Sequence, residues 1–236
     1  MIACVHQPNF LPWLGFFAKV AQSDIYVVMD NVQFTKNCWT NRVKIAGNGE
    51  ALWLTVPVRR GPLATLIADI EIDSSRDWVK QHRATLQARY SRSSFFKSVY
   101  PELCALLETR PTRLVELNIL LIRWVLDSCR VDTRVVIGSQ LNASGKASEL
   151  VVAQCQAVGA DVYVAGQGSA DYEDLDAYAR CGIQYRRQEF RHPEYPQYGR
   201  SQFIAGLSIL DALFNVGIKE VGSLLAQQRE REAVRA

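Results

Sequence analysis

The chain has no apolar run approaching the roughly 20 residues that cross a bilayer, and no basic segment leading into an apolar stretch at its start. Neither a membrane span nor a secretory leader is expected, and the chain reads as cytoplasmic. It has no excess charge of one sign: 27 Lys and Arg stand against 24 Asp and Glu, a formal charge of +3. A global nucleic-acid signature is therefore missing, and any basic site must come from local clustering. Histidine is scarce, with three copies at His6, His82 and His192. The six cysteines, Cys4, Cys38, Cys104, Cys129, Cys155 and Cys181, stand singly without Cys-x-x-Cys spacing. They read as reduced thiols, mostly core fillers, and no metal site is expected. Gly-x-Ser-x-Gly and His-Glu-x-x-His are absent, as are internal repeats and linkers. What remains is a 236-residue chain, 48% hydrophobic and 22% charged, ample for a sizeable core and outside the disordered class.

The opening stretch organises the rest. Ile2 to Val5 is a short buried strand ended by Pro8; Leu14 to Ala21 has helical spacing; Asp24 to Asp30 is a nearly continuous apolar strand of the kind parallel sheets bury. This β-loop-α-β start points to a parallel sheet with a right-handed crossover. Residues 43 to 58 form a hairpin around Gly47-Asn48-Gly49. Ile67 to Ile72 alternates like a strand, Asp77 to Tyr90 is helical, and Phe95 to Leu107 is helical with a break near Pro101. Leu114, Leu117, Leu121 and Val125 mark the clearest amphipathic helix, from Arg113 to Asp127. Strands follow at Thr133 to Ile137, Asp161 to Ala165 and Ile183 to Phe190, with helices at Glu149 to Val158, Tyr172 to Ala179 and Leu207 to Asn215. The tail from Gln227 is a solvated helix end. The expectation is an α/β fold with a Rossmann-like parallel-sheet core in one domain, residues 1 to 225, carrying a hairpin and helical insertion at about 43 to 128 and a tail at 226 to 236.

Three loops hold candidate chemistry. The first, His6 to Gly15, follows a buried strand, and strand carboxyl ends form the ligand crevice of open α/β sheets. His6 either exchanges a proton or binds ligand there, or caps the next helix and bridges two loops. Gln7 and Asn9 offer amides suited to a nucleotide or sugar, while Pro12-Trp13 either packs the loop or touches ligand. The second, Asp30 to Arg42, ends another strand: Asp30 needs a partner if buried, and Lys36, Arg42 and Lys44 offer cations for phosphate or carboxylate. An Asp30 to Arg42 ion pair is the structural alternative. The third pairs Gly166 to Ser169 with Ser144 to Lys146, either an anion site at a helix start or plain turns; the phosphate-loop spacing is absent. His82 reads as a packing residue, and His192 either lines a site or does not.

The blocks His6-Gln7-Pro8-Asn9-Phe10-Leu11-Pro12-Trp13-Leu14-Gly15-Phe16, Asp30-Asn31-Val32-Gln33-Phe34, Asn41-Arg42, Trp53 to Val58, Tyr163 to Gly166 and Leu207 to Asn215, in order, resemble the WbqC-like protein family. The resemblance implies a bacterial protein of surface-glycan, such as O-antigen, or related biosynthesis. It further implies a transferase adding an acyl or aminoacyl group to an amino sugar on a nucleotide, with a nucleotide sugar and an acyl donor as small-molecule partners. Nucleic acid is not expected as a partner except a charged tRNA as donor. The cofactor and the oligomeric state are left open. Carried onto this chain, the candidate catalytic residues are His6, Asp30 and Lys36, and the candidate substrate-binding residues are Gln7, Asn9, Lys19, Gln33, Asn41, Arg42, Gly166, Tyr172, His192 and Gln197. In this scheme His6 deprotonates an acceptor amine or hydroxyl, and Lys36 and Arg42 hold a phosphate or carboxylate. A more distant likeness to Rossmann-like nucleotidyltransferases fails at the flanks of Gly15, where Trp13 and Phe16 replace two histidines that would stabilise a transferred phosphate. Two other readings compete, a non-catalytic nucleotide- or sugar-binding accessory protein and a nucleotidyltransferase-like ligase.

Overall fold

The computed structural model describes residues 1–168 and 173–233. Strand β1 (Ile2–His6) leads into helix α1 (Leu14–Ala21) and strand β2 (Ile25–Val28). An antiparallel hairpin, β3 (Arg42–Ala46) and β4 (Ala51–Thr55), and three helices, α2 (Trp78–Tyr90), α3 (Phe96–Glu108) and α4 (Leu114–Ser128), come next in the chain. The chain then returns to the main sheet through β5 (Arg134–Ile137), α5 (Ser148–Ala157), β6 (Val162–Ala165), α6 (Leu175–Arg180) and β7 (Gln184–Arg187). It finishes in α7 (Ile209–Ala233), two helical segments that meet at Gly217.

The five main strands are all parallel and ordered β5-β2-β1-β6-β7, the Rossmann-like α/β arrangement expected from the opening β-α-β unit. Connections run outward one way through β2 and β5 and the other way through β6 and β7. The order therefore reverses between β1 and β6, and their carboxyl ends part to leave a crevice.

Period-two alternation sorts the central strands onto two cores. Cys4, Tyr26, Val28 and Val164 face one cluster, shared with α1, the inserted elements and α7. Ala3, Val5, Ile25, Val27, Tyr163 and Ala165 face the other, under α5 and α6. By the same parity His6 lies on the Cys4 face, toward α1, and its ring meets Phe16 edge-on at 5.2 Å. Helix α1 is buried along its whole length, its one cation included.

Several expectations shift. Ile67 to Ile72 is no strand: Ile67–Asp69 is a single 3-10 turn, and Glu71 and Ile72 make isolated bridges to Arg113 and Val58. Residues that alternate but meet two different partners build no ladder. The helix around Pro101 does not break, and α3 runs through it. Pro101 and Lys97 lie on the exposed side, where water can serve the carbonyl that loses its partner. The last main strand stops at Arg187 instead of reaching Phe190, and the final helix starts at Ile209 and continues well beyond Asn215. There Gly217 has φ 85°, and a Cβ on it would lie 2.7 Å from the Phe95 ring, so both conformation and space require glycine. Of the expected helix from Tyr172, residues 169–172 lie outside the described residues. Among those described, no helix is long and apolar enough to cross a membrane.

Candidate functional site

A cavity of about 640 Å³ opens at the β1/β6 switch point, a size typical of small-molecule sites. One wall is His6, Gln7 and Asn9 from the loop after β1, with Gly15, Phe16 and Lys19 of α1. The other is the first turn of α5 (Ser148, Leu150, Val151), the loop Gly166 to Gly168 after β6, and Glu173. Gln188, Trp13, Cys38 and Trp39 also line it.

The loop from Gln7 to Trp13 holds its shape because distant elements take up its backbone groups. Phe10 donates its amide to the Trp39 carbonyl at 2.9 Å, Ser208 Oγ donates to Leu11 O at 2.8 Å, and Ile209 N donates to Pro12 O at 2.9 Å. Asn118, on the apolar face of α4, donates from Nδ2 to both Pro8 O (2.7 Å) and Thr40 O (2.8 Å), tying this loop to the loop before β3. Trp13 caps α1 without a side-chain hydrogen bond, and its ring lies over the first turn. A Cβ on Gly15 would fall 2.3 Å from that ring. Phe190 meets Trp13 edge-on at 5.3 Å and His192 stacks on it at 6.0 Å, while Gln188 Nε2 donates to Gly15 O at 2.9 Å. The start of α1, the usual anion site in this fold, is thus roofed by aromatic rings.

Two ionisable groups share the α1 wall. His6 Nδ1 lies 2.9 Å from Gln7 O; carrying the proton there to make that bond, it leaves the Nε2 lone pair without a partner among the described residues. Its backbone carbonyl accepts from Tyr26 Oη and Met29 N. Burial, reinforced by the Lys19 charge, pushes the imidazole down to about 3, so it stays neutral across the physiological range. Lys19 is 2% exposed. Its Nζ makes a single long hydrogen bond, 3.5 Å to Val5 O, and among the described residues no carboxylate lies within ion-pair distance. Burial lowers its pKa, partly opposed by the Cys4 thiol and by Glu173. Opposite, Glu173 accepts from Tyr163 Oη at 3.4 Å and from Tyr178 Oη through a shorter bond.

Of the residues singled out in the sequence, the cavity gathers His6, Gln7, Asn9, Lys19 and Gly166. Asp30 lies elsewhere: its two carboxylate oxygens accept from the Ser139 amide and hydroxyl, each at 2.7 Å, and the Asp30 to Arg42 ion pair does not form. Gln33 donates to Leu63 O and Asn41 to Val56 O, both away from the cavity. Lys36 is exposed, and Arg42 stacks on Trp53 with its Cζ 4.1 Å from the ring centre. His192 braces Trp13, and Gln197 is bound by Asp211 and Ile204. Tyr172 lies outside the described residues. His82 packs between Phe10 and Trp78 and bonds Thr55 O at 2.9 Å. The lysine of Ser144 to Lys146 is not among the residues around the cavity.

Sequence reasoning passed over Glu173, Gln188, Asn118 and Trp39. Two of these carried a legible signal. Gln188 directly follows the end of β7, where the strand-end rule that selected His6 applies equally. Asn118 sits between Leu114 and Leu121 at helical spacing, a lone amide on an apolar stripe that needs buried partners. Among the described residues no three His, Cys, Asp or Glu side chains gather as metal ligands.

The sequence profile of the WbqC-like protein family matches residues 7–223. An uncharacterized protein of Mycobacterium tuberculosis is 31% identical over 215 residues, covering 89% of this chain and 92% of its own length. No solved structure matches.

Proposed function

The chain belongs to the WbqC-like protein family, and we propose that it is a transferase moving an acyl or aminoacyl group onto the amine of an amino sugar carried by a nucleotide. The supporting observation is that a buried lysine, Lys19, with no carboxylate among the described residues within ion-pair distance, shares one cavity wall with an imidazole held neutral, His6. Acyl transfer to an amine forms a C–N bond and breaks a C–O or C–S bond through a tetrahedral intermediate. It needs a donor for the developing oxyanion and an acceptor for the proton that the nitrogen sheds. Lys19, whose burial loosens its proton, suits the first role. The free Nε2 of His6 suits the second, taking the proton from nitrogen and passing it to the leaving oxygen or sulfur, so that amide and protonated leaving group are the products. The amides of Gln7, Asn9 and Gln188 match sugar hydroxyls.

The test is mass spectrometry of nucleotide-linked amino sugars incubated with the protein and either acyl thioesters or charged tRNA. One acceptor should gain an acyl mass, and His6→Ala should lower the rate about a hundredfold, within the usual range for general acid–base catalysis. A second reading, a non-catalytic binding protein, draws on the same imidazole, because a group pushed to about 3 is a weak base. Calorimetric binding without product from any donor would favour it, and full turnover by His6→Ala would remove His6 from the mechanism.

A further inference from the structure

The outer face of the β3–β4 hairpin carries an arrangement that the cavity chemistry does not use. Register places Lys44 opposite Trp53 and Arg42 opposite Thr55, so these side chains share one face, while Val43, Ile45 and Leu54 point into the core. Trp53 remains 38% exposed, and Trp39, just before the hairpin, 45% exposed. The two indoles lie 5.2 Å apart and tilted. Arg42 stacks its guanidinium on Trp53, and Lys44 Nζ stands 5.3 Å from the same ring. Among the described residues neither cation has a carboxylate within ion-pair distance, and Arg42 Nε is buried without a partner.

Two exposed indoles beside two cations left without counter-charges fit a ligand that is planar at one end and anionic at the other. Base stacking on aromatic rings and charge-assisted bonds from Arg are the forces that recognise nucleotides. Trp39 also borders the cavity, together with Cys38 and Val43, so the hairpin face and the cavity mouth are continuous. Trp13 lies over the start of α1, which favours a nucleotide held on the hairpin face instead.

We propose that this face binds the nucleoside diphosphate part of the substrate, with the base on Trp39 and Trp53 and the phosphates at Arg42 and Lys44, which leaves the attached group in the cavity beside Lys19. This extends the transferase reading but is measured separately from it, because a nucleotide can bind without turnover.

Titration calorimetry with UDP and ADP on the full chain tests it. Binding should weaken about tenfold or more in Trp39→Ala and in Trp53→Ala, the scale of one lost stacking contact. Trp53→Phe should recover much of the loss. Arg42→Gln should weaken binding and flatten its salt dependence, while Arg123→Ala, removing an exposed cation on α4, should change neither. Absence of nucleotide binding at millimolar concentration overturns the proposal, as does binding that none of the three hairpin variants weakens. Tetrauridylate bound more than tenfold tighter than UDP also overturns it, because the face would then be built for a nucleic-acid strand. Nucleotide binding by the unmodified chain with no acyl transfer from any donor counts against the transferase reading alone.

Discussion

Two of the places where the molecule buries ionisable groups treat them oppositely. Around Asp211, at the start of α7, the carboxylate is surrounded by protein donors: Tyr90 Oη at 3.1 Å, Tyr195 Oη at 3.0 Å and Gln197 Nε2 at 2.7 Å. Tyr90 Oη in turn accepts from Ala46 N at 2.8 Å, so one network joins the hairpin, α2, the loop before α7 and α7 itself. At the β1/β6 crevice, Lys19 is as deeply buried but, among the described residues, has one long bond, and His6 has one ring nitrogen without a partner. Fully satisfied groups specify the fold, whereas groups left short of partners are stabilised only when something else arrives. This sets Gln197 apart from Lys19, both of which the sequence suggested as substrate-binding. Both are buried polar residues, but Gln197 spends its amide on Asp211 and on the chain at Ile204.

The largest expected effect breaks the comparison from the crevice side. Lys19→Met keeps the stem and removes the charge. It should lower turnover by about a hundred- to a thousandfold, the cost of losing one donor to an oxyanion, while the melting temperature stays level or rises, because an unpaired buried charge is removed. A large fall in stability would place Lys19 with Asp211 as a structural group. On the structural side, Asp211→Ala leaves three buried donors without an acceptor and should cost about 3 kcal/mol, or roughly 6–12 °C in melting temperature for a chain of this size. Asp211→Asn should cost far less, since the hydroxyls can turn to suit an amide. Burial raises the Asp211 pKa above the ordinary carboxylate value despite its hydrogen bonds. The folded state therefore penalises the ionised form, and this group's contribution falls as pH rises above the unfolded value of about 4. Asp211→Asn should accordingly gain on wild type with rising pH, checked by chemical denaturation at several pH values.

Histidine provides a pH test of similar or smaller size. Burial lowers His82 to about 4, below the unfolded value of about 6.5. A lowered imidazole pKa means the unfolded chain takes up the proton first. The stability tied to neutral His82 is complete above pH 6.5 and is lost as pH falls toward 4, on the order of 3 kcal/mol at most. His82→Gln should reduce this acid slope. His6, pushed to about 3, adds to it in the same direction, so His6→Gln should take away a further part.

Much of the fold was legible because local pattern and tertiary setting agree. The apolar runs that became β1 and β2 are buried on both faces, and the spacing of Leu114, Leu117, Leu121 and Val125 matches the buried side of α4. Pattern misled at Ile67 to Ile72, where alternation reflects isolated bridges to two separate segments. His6 was visible because a strand end is a local feature. Asp30's partner was not, since Ser139 is 109 residues away. Nor could spacing distinguish Arg42 as a cavity cation from Arg42 stacked on the outside of a hairpin. That depends on which hairpin face is buried, and the two faces differ by a one-residue register.

The smallest effect is the sharpest contrast, because it compares one atom in each region. Tyr195 and Tyr163 each point a hydroxyl at a carboxylate, Asp211 at 3.0 Å and Glu173 at 3.4 Å. Tyr195→Phe removes one of the three donors to the Asp211 carboxylate. It should cost about 1 kcal/mol, the usual net worth of one hydrogen bond, read as a 2–4 °C drop in melting temperature, with substrate affinity unchanged. Tyr163→Phe removes a longer bond from a carboxylate that also lines the cavity and keeps Tyr178 as a donor. Its melting temperature should stay within about 1 °C, because a bond that long is worth a fraction of a normal one. Affinity for the cavity ligand should change severalfold instead, since Glu173 is then free to turn toward the occupant. Equal losses of stability in the two variants, with ligand affinity unmoved in both, would mean that Glu173 serves the fold as Asp211 does.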